Sequence, residues 1–316
     1  MKILSNILFV PKKTIDVAKL IKKSGKSSEK CNEIIQNIGF TKLTESNTKN
    51  TSKFIEKCLS NLSPKSFLLS NKIQYLIVVS QSFNNRIPNL SSTLQPVLGL
   101  PQKTFCIDII DGCNGFVKAL TVANKLMSVG QRTLIVAGDL NSIMTEKAEI
   151  STKVLFGDGF CFTVVEQTDF NINSEIYNDG SRGRFISSSI SPSIMYMDGF
   201  EVFRFTNEEV PKLLKNNYLN KLLAKKPLHY YALHQASKFI IEQIAKRSSL
   251  DNGELSLFAC KEIGNLGAGS IGAWISLNPL LLKRKCLLTC VGYGAGLSWG
   301  RATIKSELLE NEMIRV

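Results

Sequence analysis

The chain has 316 residues and a mass of 35.0 kDa, more than the ~100–200 residues of one ordinary domain, so two domains or one double-layered domain of duplicated halves are both open. Hydrophobic residues at 44% and charged residues at 21% exclude the disordered and fibrous classes. The net charge of +13, much of it in the lysine-rich first third, favours an acidic partner such as nucleic acid, an acidic carrier protein or a phosphorylated cofactor, and is equally a solvated lysine-rich surface.

MKILSNILFVPKK carries an apolar run too short for a signal peptide and no small-residue cleavage site, and reads as a first strand. Short polar helices follow to about residue 65, with TESNTKNTSK a surface turn before a helix around 52–61. IQYLIVVSQ at 73–81 is a buried-strand run, NLSSTLQPVLGL at 89–100 a helix and KTFCIDII at 103–110 a second strand. FVKALTVANKLMSVG, 116–130, has apolar residues at helical spacing with Gly130 placed as a C-cap. TLIVAGDL and FCFTVVE are two more strands. After the polar stretch NDGSRGR, a helix at about 207–225 leads to the strand LHYYALH and the helix QASKFIIEQIAKR. A further helix at 269–277, the strand CLLTCVGYG and a final strand RATIK complete the order.

Alternating helices and long apolar strands predict an α/β protein with sheets covered on both faces. One order of elements recurs, which suggests duplication with a boundary near 167–180. No segment approaches the ~20 apolar residues of a membrane span, so no membrane partner is expected. No RNP, zinc-finger or helix-turn-helix signature accompanies the lysines, so no nucleic acid is expected either. The eight cysteines include no C-x-x-C pair and no histidine at metal spacing; several lie in apolar runs such as CLLTCV, which fits a reducing, cytoplasmic compartment.

DIIDGCNGFVKAL, 108–120, puts Cys113 between two glycines where a strand meets a helix. A cysteine at a helix N-terminus has a lowered pKa and attacks as the thiolate, and the glycines leave backbone N–H groups accessible as oxyanion donors. The same turn accommodates a buried packing cysteine equally well. Only two histidines exist. His234 ends an apolar strand just before a helix, where open α/β sheets build sites, although strand-end histidines are as often structural. His229, at the other end of that strand, reads as a surface residue. In EIGNLGAGSIGAW, 262–274, Asn265 sits in a glycine-rich loop, able to donate to an oxyanion or simply to make a turn. GYGAGLSWG lacks the G-x-G-x-x-G spacing, which argues against dinucleotide binding.

Taken together, DGCNGF, LFGDG at 155–159, MDGFEVFRF at 197–205, HQAS at 234–237, GNLGAGS at 264–270 and GAGLSWG at 294–300 resemble the β-ketoacyl-acyl-carrier-protein synthase III family of the thiolase superfamily, over nearly the whole chain. The resemblance implies an αβαβα thiolase sandwich of two related halves, here 1–170 carrying the cysteine and 171–316 carrying the histidine and asparagine. It also implies a Cys113, His234, Asn265 site, an oxyanion hole from the backbone of Cys113 and Gly296, and a homodimer paired through FCIDII. The implied reaction is decarboxylative Claisen condensation: an acyl group from acyl-CoA or acyl carrier protein is held on Cys113 and joined to malonyl-carrier protein. No metal or redox cofactor is expected.

The chain also departs from the family pattern. Ser237 and Phe239 replace an asparagine and an arginine at the carrier or substrate entrance, Ala295 replaces a glycine, and the CoA-contacting N-terminal segment is reduced to IGFTKLTE. Ile87 stands where the family places a bulky aromatic at the acyl pocket or dimer contact, which predicts a roomier pocket. These changes suggest a specialised paralogue. Acyl transfer to an alcohol or amine, a cysteine hydrolase with an elbow-like D-G-C-N-G, and a noncatalytic carrier-binding partner are the alternatives.

Overall fold

In the computed structural model the described residues are 1–25, 27–63, 66, 72–83, 85, 87–170, 172–190, 193–215 and 227–316. The first half contains β1 (Lys2–Val10), β2 (Thr14–Asp16), α1 (Val17–Lys22), α2 (Ser28–Ile38), β3 (Lys42–Thr44), α3 (Thr51–Ser60), β4 (Tyr75–Val79) and α4 (Leu90–Val97). It continues through β5 (Phe105–Ile109), α5 (Gly115–Leu126), β6 (Arg132–Leu140), α6 (Asn141–Met144), α7 (Ile150–Lys153) and β7 (Asp158–Glu166). The second half contains β8 (Asn173–Asn178), β9 (Ile186–Ile190), β10 (Ser193–Met197), α8 (Gly199–Leu214), β11 (His229–Leu233), α9 (Lys238–Ser248), α10 (Ser270–Ser276), β12 (Cys286–Gly294) and β13 (Ser298–Arg315).

Side chains of β1, β6 and β7 are buried on both faces, which is why these segments are mainly apolar without strict alternation, β1 being interrupted by the buried Ser5 and Asn6. In the first half β7 lies antiparallel between β1 and β6, and β4 lies parallel to β6. The second half repeats this sense for sense: β13 lies antiparallel between β8 and β12, and β11 lies parallel to β12. Beyond residue 305, β13 runs on in parallel along β1 and joins the two strand sets. In the first half β5 extends the order as an edge strand beside β4.

Between the strand sets lies a layer containing α5 and α10, where Phe116, Val117, Ile271 and Trp274 pack against Ile77 and Ile135 from one side and Leu288 and Ala302 from the other. All seven residues of α10 (SIGAWIS) are buried; its middle is apolar all round, and its end serines are hydrogen-bonded to Asn265 and Asn6. Outer layers are supplied by α3 and α4 over the first set and by α8 and α9 over the second. Helix, sheet, helix, sheet, helix is the layer order of a thiolase-like sandwich. The two central helices each follow a site loop: Cys113 precedes α5 and Asn265 precedes α10.

Three element boundaries differ from the sequence expectation. The helix predicted over 116–130 stops at Leu126, because Met127 turns extended and the Gly130 N–H is claimed by the Gln167 carbonyl at 2.9 Å. Gly130 (φ +83°) therefore shapes the turn into β6 and caps no helix. The helix predicted over 207–225 begins earlier, at Gly199, where the Asp198 carboxylate accepts from the N–H groups of Phe200 and Glu201; residues 216–226 lie outside the described residues. RATIK is only the middle of β13, which continues to Arg315 along β1.

Candidate active site

Cys113 sits in the turn between β5 and α5, and the tight packing of glycines fixes that turn. A Cβ on Gly115 would meet Val79 at 2.4 Å, and one on Gly112 would meet the Gln81 side chain at 2.6 Å. From the other half, β12 presses its glycines against the same turn: a Cβ on Gly292 would lie 2.7 Å from Asn114, and one on Gly294 would lie 2.5 Å from the Cys113 Sγ. Asn114 Nδ2 donates to Ser298 Oγ at 2.8 Å and ties the turn to β13. The glycines of DGCNGF and GYGAG thus allow the two halves to meet at the thiol.

His234 follows β11. Its N–H continues the ladder to Val291 O at 2.8 Å, the Tyr293 hydroxyl donates to its carbonyl at 2.8 Å, and the Tyr293 ring stands edge-on to the imidazole at 5.4 Å. Asn265 is held by the LFGDG segment: its N–H donates to Leu155 O and its carbonyl accepts from Gly157 N–H. A Cβ on Gly157 would come 1.9 Å from Ile263 O, so this approach requires glycine. The Asn265 amide is oriented by two donors, Gly267 N–H at 2.9 Å and the Ser270 hydroxyl at 2.8 Å, both to Oδ1. Because a backbone N–H cannot accept, Nδ2 is directed the other way, to within 3.4 Å of His234 Nε2.

Cys113, His234 and Asn265 line one cavity of about 770 Å³, together with Ser237 and Phe239. Its walls are largely apolar: Ile186, Met195 and Met197 from the β9–β10 hairpin, and Phe200 and Phe203 from α8. The sequence reading gave none of these a place in the site, although Met197, Phe200 and Phe203 lie in its MDGFEVFRF motif. Ser237 is the N-cap of α9, its hydroxyl accepting from Ile240 N–H, while Phe239 stacks on Phe203 at 5.3 Å. Gln235 makes four hydrogen bonds, donating to the Leu233 and Leu257 carbonyls and accepting from Ala259 and Cys260 N–H, and so anchors the 257–260 loop to the histidine strand.

The electrostatics differ from the expected lowered thiol. Burial pushes Cys113 up to about 12, against the Ala295 and Cys113 backbone N–H groups that pull it down. Burial likewise pushes His234 down to about 3. The resting pair is therefore thiol and neutral imidazole. The Ala295 N–H favours the ionised sulfur and Ala295 lines the cavity, whereas Gly296, expected as an oxyanion donor, is not among the lining residues. His229 is not a free surface group: it is half-buried, its Nε2 lies 2.8 Å from Thr289 Oγ1, and its ring packs on Tyr231. Ile87 lies outside the cavity and is 88% exposed, at the start of a segment tied to β5 by Asp108, which accepts from Leu90 and Ser91 N–H.

A layered α/β sandwich that brings a cysteine, a histidine and an asparagine to one apolar cavity defines the thiolase-like class of acyl-thioester enzymes. Residues 107–180 match the family model described as 3-oxoacyl-[acyl-carrier-protein (ACP)] synthase III, and residues 220–306 match its C-terminal model. The chain is 31% identical over 279 residues to the β-ketoacyl-[acyl-carrier-protein] synthase III of Lactococcus lactis subsp. lactis, covering 81% of this chain and 85% of that one. It is 30% identical over 284 residues to the synthase III of Streptococcus gordonii, covering 83% and 86%. A 3-oxoacyl-(acyl-carrier protein) synthase from Burkholderia xenovorans superposes with a TM-score of 0.85 at 25% identity, over 100% of this chain and 97% of that one. The synthase III from Thermus thermophilus shares the fold with a TM-score of 0.82 at 23% identity, over 96% and 98%. The chain belongs to the 3-oxoacyl-[acyl-carrier-protein] synthase III family.

Proposed function

We propose that this chain is a β-ketoacyl synthase III-type acyltransferase: it condenses an acyl group from acyl-CoA or acyl carrier protein with malonyl-carrier protein, releasing CO2. The observation that carries this reading is the convergence of Cys113, His234 and Asn265 on one apolar cavity, each held by contacts that the family motifs supply. In the first half-reaction the Cys113 sulfur attacks the thioester carbonyl. The S–H proton leaves with the departing thiol, and the oxyanion is received by the N–H groups of Cys113 and Ala295. Moving that proton is the chief electrostatic demand, because burial opposes a free thiolate.

Malonyl-carrier protein then enters. Neutral His234 and the Asn265 Nδ2 donate to its thioester carbonyl, so that loss of CO2 leaves an enolate in a water-poor site. The enolate carbon attacks the acyl-Cys113 carbonyl, the C–S bond breaks, and the cysteine regains a proton as the β-ketoacyl-carrier leaves. No metal or redox cofactor takes part in this scheme. The pantetheine arm passes between α2 and α8, where Glu33, Ile34, Phe200 and Phe239 border the cavity. A homodimer through the β5 edge, the 1–170 and 171–316 halves and a cytoplasmic location complete the proposal. Among the described residues no helix is long and apolar enough to cross a membrane.

The test is intact-mass analysis of purified protein with acyl-CoAs and acyl carrier proteins, then malonyl-carrier protein with CO2 trapping. An acyl adduct on Cys113 that is consumed with CO2 release supports the proposal; no adduct from any acyl thioester refutes it.

A further inference from the structure

One buried acid beside the cavity has no part in this chemistry. Asp139, at the end of β6, is 1% exposed. Its Oδ1 accepts from the N–H groups of Gln81 (2.6 Å) and Ser82 (2.9 Å) and from the Ser80 hydroxyl (2.9 Å). Its Oδ2 makes no hydrogen bond of ordinary geometry among the described residues and faces the Gly267–Ala268 turn. There the Ala268 N–H favours the ionised carboxylate, and a Cβ on Gly267 would come within 2.6 Å of Oδ2.

The Gln81 segment and the Gly267–Ala268 turn both border the cavity. Gln81 packs beneath Gly112, next to Cys113, whereas the Gly267 N–H is one of the two donors that orient the Asn265 amide. The thiol turn has further restraints from Gly292, Gly294 and the Asn114–Ser298 hydrogen bond. The Asn265 amide depends on the Gly267 turn much more directly. We propose that Asp139 is a positioning residue for the enolate step: its carboxylate holds the Gly267–Ala268 turn that aims Asn265, so decarboxylation falls when its charge is lost, whereas acylation of Cys113 does not fall. This rests on the condensation reading above. The Asp139 charge itself helps to push the Cys113 thiol up, so losing it does not hinder acylation.

Burial pushes the Asp139 carboxyl up to about 6, against the hydrogen bonds from Gln81, Ser80 and Ser82 and the pull of the Ala268 N–H. The titratable group that faces it is Cys113, a neutral thiol at this pH; His234 in the same cavity also stays neutral. Asp158, paired with Leu140 across β6 and β7, is a second carboxyl pushed up to about 6, hydrogen-bonded to Ser46 and Ser142. The Asp139 variants separate the two.

Acylation of Cys113 and malonyl-dependent CO2 release are measured separately from pH 5 to 8 in wild type, Asp139→Asn and the milder Ser80→Ala. In wild type, the ratio of CO2 release to acylation should fall below about pH 6. In Asp139→Asn, acylation should stay within about threefold of wild type while CO2 release drops by about tenfold or more, with the break near pH 6 gone. Ser80→Ala removes a donor to the carboxylate, so its break should move to higher pH. A purely structural role would lower both half-reactions together; that result, or a break that persists in Asp139→Asn, overturns the proposal. Independently of turnover, the Gly267 and Ala268 amide NMR signals should titrate near pH 6 in wild type and not in Asp139→Asn. Failure to titrate overturns the proposal even if no acyl donor is found, whereas failure of acylation in wild type alone counts against the condensation reading.

Discussion

Gly294→Ala puts a single methyl group where β12 passes the nucleophile. The new Cβ would lie 2.5 Å from the Cys113 Sγ and 2.6 Å from its Cβ, against the ~3.5–4.0 Å of ordinary carbon contact. Either the thiol turn retreats by roughly 1 Å or β12 bows away. Gly294 is not in the left-handed region, so alanine is tolerated by the backbone and the damage is steric. Overpacking of this kind costs about 1–3 kcal/mol. A reacting atom displaced by ~1 Å loses about 100-fold in rate, so acyl-Cys113 formation, followed by intact mass against time, should slow by roughly that factor. The stability cost should largely vanish in a Cys113→Gly background, where both clashing atoms are absent, and thermal denaturation of the four proteins would complete the cycle. A wild-type acylation rate in Gly294→Ala, or the same destabilisation in both backgrounds, would refute the placement of the thiol against β12.

Asn265→Asp keeps an acceptor for Gly267 N–H and Ser270 but removes the NH2 donor, so malonyl-dependent CO2 release should fall by about 10²–10³ while the acyl adduct on Cys113 still forms; loss of the adduct as well would contradict the division of labour. With its thiol pushed up to about 12, Cys113 should react with iodoacetamide about tenfold faster per pH unit from pH 7 to 10, read by peptide mapping. A plateau above pH 8 would show that the thiol is not raised. Ile110, 83% exposed at the end of the β5 edge, should hold the proposed dimer, so Ile110→Asp should sediment as a monomer; an intact dimer would place the interface elsewhere.

The three residues of the site were legible because each breaks a local pattern: a cysteine framed by glycines, a histidine closing an apolar strand, an asparagine in a glycine loop. Their convergence was not, since it depends on β12 and the LFGDG segment meeting loops more than a hundred residues away, and it entered only through the family resemblance. Asp139 left one usable signal, a charge at the end of the apolar run TLIVAGDL, which must be hydrogen-bonded if buried. The β9–β10 hairpin left little: Met195 sits in a serine-rich stretch without apolar periodicity, and Met197 was visible only as the first residue of MDGFEVFRF, yet both line the cavity wall. That Ala295 and not Gly296 lines the cavity is a matter of how the loop after β12 is turned, which glycine counting cannot supply. The thiol's protonation state also depends on burial created by the other half of the chain.

The extension of β13 along β1 also matters during synthesis. Until residues 306–315 have been made, β1 has β7 on one side and, on the other, an open row of backbone donors and acceptors flanked by Ile3, Ile7 and Phe9. The emerging first half is thus a sticky intermediate whose protective partner is translated only after every residue of the active site. A chain cut short before residue 306 would keep every active-site residue and leave its first sheet open to pair with a neighbour.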